Sequence, residues 1–201
     1  TRVRSSAASD VYKRQVLHDG KGLISFGPAG DSYYYSRTRM SLSGSLTDHG
    51  QPVSVTGLAW MDHQWGNFVS GGGGWDWFSI QLDDRTELML FFLRNPDGSA
   101  SLSYGTYVDA SGQATILPAS TFSQRALGTW TSPSTGITYP SGWNVTAHGA
   151  NLTLTPTIRD QELRTTQSTG INYWEGDVAI SGTRAGAPVK GVGYVELVGY
   201  R

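Results

Sequence analysis

Trp75-Asp-Trp-Phe-Ser-Ile-Gln-Leu82 and Glu87-Leu-Met-Leu-Phe-Phe-Leu-Arg94, separated by Asp83-Asp-Arg-Thr86, decide the fold. Each run is short, apolar and aromatic, and the polar tetrapeptide between them suits a hairpin loop. Asn95-Pro-Asp-Gly98 and Asp109-Ala-Ser-Gly112 are turn signals, because Asn, Asp, Pro and Gly accept the dihedrals that turns require. Between those turns Ala100–Val108 reads as a third strand. Further out, residues 32–43, 52–60, 142–147, 151–158, 172–182 and 189–199 are strand-like. Asn151-Leu-Thr-Leu-Thr-Pro-Thr-Ile158 has the cleanest two-residue alternation. Residues 130–140 read as an ordered loop, and 160–166 as at most one or two helical turns. Strands at intervals of roughly 8–12 residues predict an all-β, antiparallel sandwich or barrel.

Composition agrees with that class. The 201 residues include 26 glycines and seven tryptophans, and only 15% are charged. The net charge of -1 gives no basis for nucleic acid as a partner. Cysteine is absent, which excludes disulfides and thiolate chemistry. No apolar run approaches the roughly 20 residues of a membrane-spanning helix, so stable membrane insertion is not expected. His18, His49, His63 and His148 lack metal-ligand spacing, and neither a metal nor a cofactor is expected. The glycines at 71–74 lack the lysine and helix of a phosphate loop. A G-x-S-x-G nucleophile elbow is also missing. Residues 1–15 are basic, rich in serine and alanine, and without strand pattern. Their end, Asp10-Val-Tyr-Lys-Arg-Gln15, is similar to a translated sequencing adapter joined to a metagenomic read. The segment is therefore expected to be disordered and outside the fold. A true start upstream, with a signal peptide and an N-terminal domain, is then expected.

Chemistry concentrates in Gly57-Leu-Ala-Trp-Met-Asp-His-Gln-Trp-Gly66 and Gly74-Trp-Asp-Trp-Phe78. Four tryptophans, two aspartates and a histidine fall within eighteen residues. Aromatic walls with a few polar groups suit a pocket for an apolar molecule. On a regular strand Met61, His63 and Trp65 share one face, and Trp60, Asp62 and Gln64 the other. Bland readings stand beside the sharp one. The tryptophans serve equally to fill a barrel interior, and Asp62 serves equally to pair with Arg37 or Arg39. Asp76 serves equally as a structural acid or a proton donor.

These blocks, together with Ser32-Tyr-Tyr-Tyr-Ser36, Glu87-Leu-Met-Leu90, Tyr139-Pro140, Tyr173-Trp-Glu-Gly176 and Gly193-Tyr-Val-Glu-Leu197, resemble a known group. The group is the lipocalin-like family of carotenoid 1,2-hydratases (hydroxyneurosporene synthases) and AttH attachment proteins, many of them labelled secreted hydrolases. The resemblance implies two successive lipocalin-like β-barrels. Residues 16–66 would be the last strands of the first barrel, 67–74 a glycine-rich linker, and 75–201 the second barrel. The partial first barrel would either survive as a sheet packed on the second or be poorly ordered. A secreted, periplasmic or envelope location in a bacterium is implied too.

For activity, the resemblance implies hydration or isomerisation of a C=C bond in an apolar, isoprenoid-like molecule. His63 and Trp65 match the histidine and tryptophan of the hydratases, and Asp76 is the nearest match to their acid. Asp62 completes the candidate catalytic set. Trp60, Trp75, Trp77, Tyr34, Tyr173, Trp174, Glu175 and Tyr194 are the candidate ligand-binding residues. Hydration starts with proton donation to carbon, and water traps the resulting cation. A carboxyl among apolar rings suits the donor, since desolvation keeps it protonated, and indole faces stabilise the cation. The alternatives are a non-catalytic binder of lipophilic molecules and an attachment-related envelope protein. On the catalytic reading, His63→Ala abolishes turnover while circular dichroism reports an intact fold.

Overall fold

The computed structural model describes residues 5–11, 15–68, 72–165, 167–168 and 170–201. The chain is all-β and antiparallel, as its strand spacing predicts. Its strands are β1 (Ser5–Val11), β2 (Val16–Leu17), β3 (Leu23–Ser25), β4 (Asp31–Asp48), β5 (Gln51–Gly66), β6 (Trp75–Leu82), β7 (Glu87–Arg94), β8 (Ala100–Val108) and β9 (Ala114–Leu117). They continue with β10 (Phe122–Ala126), β11 (Thr129–Thr131), β12 (Thr138–Pro140), β13 (Trp143–Ala147), β14 (Ala150–Pro156), β15 (Glu162–Arg164), β16 (Asn172–Arg184) and β17 (Ala187–Val198).

The first sheet is built on β4. It folds back into β5 through His49 and Gly50, whose φ values of 46° and 84° match the twist of a two-residue hairpin. Along the other edge of β4 lie β3, β2 and β1 in turn. Of residues 1–15, expected to lie outside the fold, Ser5–Val11 pair with Met40–Leu46 as an edge strand, and 1–4 and 12–14 lie outside the described residues. The long β4 leaves unpaired N–H and C=O groups at that edge, and edge pairing is a backbone interaction that needs little from sequence. Residues 160–166 also differ from expectation. Glu162–Arg164 form a short strand on β16, not a helical turn.

The second sheet runs β10-β13-β14-β16-β17-β6-β7-β8-β9, with β15 beside β16. Its terminal strands β9 and β10 are joined by a short 3-10 turn at Ala119–Thr121. The sheet curls so that these ends meet. A Cβ placed on Gly105 would lie 3.1 Å from atoms of Leu117, Leu90 and Phe122. The interior of this barrel is filled. Trp143 packs tilted against Trp174 and edge-on to Phe78 (ring centroids 5.8 and 5.7 Å), and Ile80, Leu90, Leu154 and Leu197 complete the packing. The β11–β12 hairpin, inside the stretch expected to be a loop, adds Tyr139 to this core.

The β4–β5 sheet lies against the outer face of the barrel, so β6 is covered on both sides. A bulge between Arg37 and Met40 turns Thr38 and Arg39 together toward the barrel. Arg39 Nε meets Glu87 Oε1 at 2.5 Å, and its Nη2 donates to the Leu82 carbonyl at 2.7 Å. Thr38 Oγ1 donates to Glu87, and Gln81 Nε2 donates to the Thr38 carbonyl at 2.7 Å. His18 forms a second clasp. Its Nδ1 lies 2.9 Å from Thr106 Oγ1 on β8, and its Nε2 lies 2.7 Å from Ser36 Oγ on β4. At the described end of the glycine-rich stretch the backbone packs against its neighbours. A Cβ on Gly74 would run into the Val198 carbonyl, and Gly74 O accepts from Arg94 N at 3.0 Å. These glycines permit close backbone approach.

Two stability outcomes follow from these clasps. Arg39→Met leaves the buried Glu87 carboxylate without its guanidinium, at a cost of about 3 kcal/mol. The double variant Arg39→Met/Glu87→Leu recovers most of that loss in urea denaturation. Burial lowers the His18 pKa from 6.5 to about 3. The unfolded chain then binds the extra proton, so this contribution is intact above pH 6.5 and declines as pH falls toward 3. Relative to His18→Gln, the native protein should lose about 2 kcal/mol between pH 6.5 and 5. A difference independent of pH would show that His18 is not held neutral.

Candidate active site

Pairing on β4 and β5 sorts the candidate residues into two groups. Tyr34 stands opposite Gln64 and Ser36 opposite Asp62, while Tyr33 faces Trp65 and Tyr35 faces His63. Directly paired residues share a face. Tyr34, Ser36, Asp62 and Gln64 therefore point toward the barrel. Tyr33, Tyr35, His63 and Trp65 point away from it. The alternation read along 57–65 is the one observed.

On the barrel, the same rule selects Trp75 and Trp77 of β6, Leu93 and Phe91 of β7, and Tyr194 and Glu196 of β17. Glu175 of β16 lies directly opposite Glu196 on this outer face. Two cavities occupy the cleft between the sheets. One of about 250 Å³ is walled mainly by the rings of Phe26, Tyr34, Phe68, Trp75, Trp77 and Phe91. The other, about 460 Å³, is lined by Trp60, Ser79, Gln81, Glu175, Asp177 and Tyr194 among others. Asp62, Trp77 and Glu196 line both and mark the boundary between them.

Asp62 is the most heavily hydrogen-bonded of these groups. Ser36 Oγ and Trp60 Nε1 donate to its Oδ1, the latter at 2.6 Å, and Tyr34 OH donates to Oδ2. Trp77 Nε1 in turn donates to Tyr34 OH at 2.9 Å. Because Ser36 gives its proton to Asp62, its oxygen receives one from His18 Nε2–H, and Thr106 donates to His18 Nδ1. Asp62 is open to the cleft, yet the surrounding rings desolvate it and push its pKa up. The Ser36, Tyr34 and Trp60 donors pull the other way. Desolvation, followed by the neighbouring Glu175 and Asp62 charges, raises Glu196 to about 7, against the donor Trp75 Nε1 at 2.9 Å. Burial and the Asp62 charge hold Tyr34 well above its ordinary range, so it stays a neutral donor. Among the described residues, neither cavity is lined by Lys, Arg or His.

The expected site thus separates into three places. Asp62, Tyr34, Trp60, Trp75, Trp77, Glu175 and Tyr194 meet in the cleft, with Tyr173 edge-on to Trp75 at 6.5 Å. His63 and Trp65 lie on the far face, where their rings sit 4.7 Å apart beside Tyr35 and Tyr33. Asp76 faces the inside of the barrel at its end, ion-paired with Arg94 and bonded to Tyr200 OH at 2.8 Å. Trp174 is a correction as well. It fills the barrel core and donates to the Arg159 carbonyl at 2.8 Å, because it alternates with Tyr173 and Glu175 on the opposite face. Arg39 pairs with Glu87 and not with Asp62. The site also takes in Glu196, which the sequence leaves open between a lumen-facing and a solvent-facing position, and Ser36, His18 and the phenylalanines at 26, 68 and 91, which no motif marks. The one available signal was apolar Val195 and Leu197 flanking Glu196, which turns Glu196 off the core face.

Comparison with known proteins carries the same architecture. The AttH-like family profile matches residues 8–200. Kievitone hydratase of Fusarium solani subsp. phaseoli is 27% identical over 195 residues, covering 94% of this chain and 55% of the relative. An AttH-type protein from Nitrosomonas europaea has a crystal structure that superposes with a TM-score of 0.87 at 35% identity. That match covers 97% of this chain and 61% of the other. The structure of kievitone hydratase from Nectria haematococca gives 0.80 at 25% identity, covering 98% of this chain and 61% of that one. The chain therefore spans between half and two thirds of the length of these relatives. With that profile spanning nearly its whole length, the chain belongs to the AttH-like family.

Proposed function

We propose that the cleft between the two sheets binds an apolar, isoprenoid-like molecule and adds water across one of its C=C bonds. The observation that carries this reading is the make-up of the cleft. Indole and phenyl rings surround the carboxyls of Asp62 and Glu196, Glu175 and Asp177 add two more in the larger cavity, and no basic side chain lines either cavity among the described residues. Protonating an alkene builds positive charge on carbon. Ring faces and carboxylates stabilise such charge, and a nearby Lys or Arg would oppose it. The kievitone hydratase relatives support the same class of reaction by name. Binding area comes from the smaller, aromatic cavity, and the larger cavity supplies the polar groups and the water.

The row Tyr33, Trp65, Tyr35 and His63 favours a second reading. Tyr33 and Trp65 stack at 5.4 Å and are 51% and 47% exposed. Leu17 and Leu23 pair with Tyr35 and Tyr33, which extends an apolar outer face suited to a lipophilic ligand or an attachment partner. Two variants separate the readings, with kievitone as the probe and gain of one water read by mass spectrometry. Asp62→Asn should lower hydration about a hundredfold or more, while kievitone still quenches tryptophan fluorescence. Loss of hydration in His63→Ala with Asp62→Asn unaffected would move the chemistry to the outer face. Quenching without hydration in the native chain would make the protein a binder.

A further inference from the structure

We propose that Glu196 is the proton donor of the cleft and Asp62 the group that receives the proton from water, an assignment that rests on the cleft reading above. Both side chains line both cavities, from opposite walls. Their hydrogen bonding divides the roles. Asp62 accepts from Tyr34, Ser36 and Trp60, and three donors converging on one carboxyl favour its anionic form. Among the described residues, Glu196 accepts from Trp75 alone. Its cross-strand neighbour is Glu175, and like charges placed directly opposite disfavour ionisation. The groups facing it are Glu175 and Asp177 from β16, Tyr194 from β17, Tyr34 from β4 and Asp62 from β5. All are acidic or neutral, so nothing in that set draws the proton off Glu196 below neutral pH.

The step balances as follows. The alkene π pair takes the Glu196 carboxyl proton at the less substituted carbon, leaving a carboxylate and a cation at the neighbouring carbon. Trp77, at the boundary of the two cavities, lies where that charge forms. Water adds its oxygen lone pair to the cation, and the surplus proton goes to the Asp62 carboxylate. Transfer of that proton back to Glu196 through cleft water restores the starting state, and the net change is addition of one water. His18 and Ser36 are positioning residues in this scheme, since they hold Asp62 without meeting substrate.

The test uses Glu196→Gln and Glu196→Asp in the whole chain, with kievitone as the probe. Glu196→Gln should lower kcat at least a hundredfold while the fluorescence-quenching midpoint moves less than about twofold. The native kcat/KM should fall as pH rises through about 7, where Glu196 ionises, and in Glu196→Asp this falling limb should shift. A readout free of turnover is the emission of Trp75, which should step with pH near the same value and lose that step in Glu196→Gln. Native-like hydration by Glu196→Gln, or an emission step that persists in it, overturns the assignment and leaves the cleft reading intact. A native chain that neither binds nor hydrates kievitone overturns both.

Discussion

β6 is a strand buried on both faces, and that constraint organises the molecule. Its two-residue period sends Phe78, Ile80 and Leu82 into the barrel and Trp75, Trp77, Ser79 and Gln81 toward the β4–β5 sheet. A one-residue slip would exchange the two sets, placing glutamine and serine in the core and leucine in the cleft. The register is fixed by the Asp83–Thr86 turn on one side and by pairing with β17 on the other. The middle of the barrel interior is thereby apolar and close-packed, and the Asp62 and Glu196 carboxyls lie on its outside.

That arrangement explains why the active-site candidates divide as they do. Asp76 belongs to the interior set of β6, and at the barrel's end its charge is neutralised by Arg94 and held by Tyr200. Asp62 belongs to a strand with a barrel on one side only, so its carboxyl can meet both rings and water. The Arg39–Glu87 pair and the His18 bridge hold the two sheets at the separation that leaves room for a guest. Filling that space with side chains would strengthen the interface and remove the cleft. The polar clasps add inter-sheet contacts outside it, beside the Tyr34–Trp77 and Trp60–Trp77 contacts that cross it.

Much of the fold was legible in the chain. The β6–β7 hairpin and β8 lie at the residues their patterns indicate, and the turns at 95–98 and 109–112 close through Gly98 and Gly112 with φ of 84° and 88°. Alternation along 57–65 assigned Asp62 and His63 to different faces correctly. What it could not say is which face meets the barrel, because both carry aromatic rings. Motif matching drew attention to His63, Trp65 and Asp76 by proximity in sequence. Proximity along strands is a poor guide to proximity in space when neighbouring residues point 180° apart.

The sequence by itself determined the all-β class, the strand positions, the faces within each strand and the family, since these depend on local periodicity, turn chemistry and short motifs. Only the tertiary structure decided that the barrel interior is filled, that the cleft lies outside it, and that Glu196 from one end of the chain meets Asp62 from another. Such meetings depend on sheet register and on the packing of one sheet against another. Both are set by long-range pairing, which no local stretch of sequence encodes.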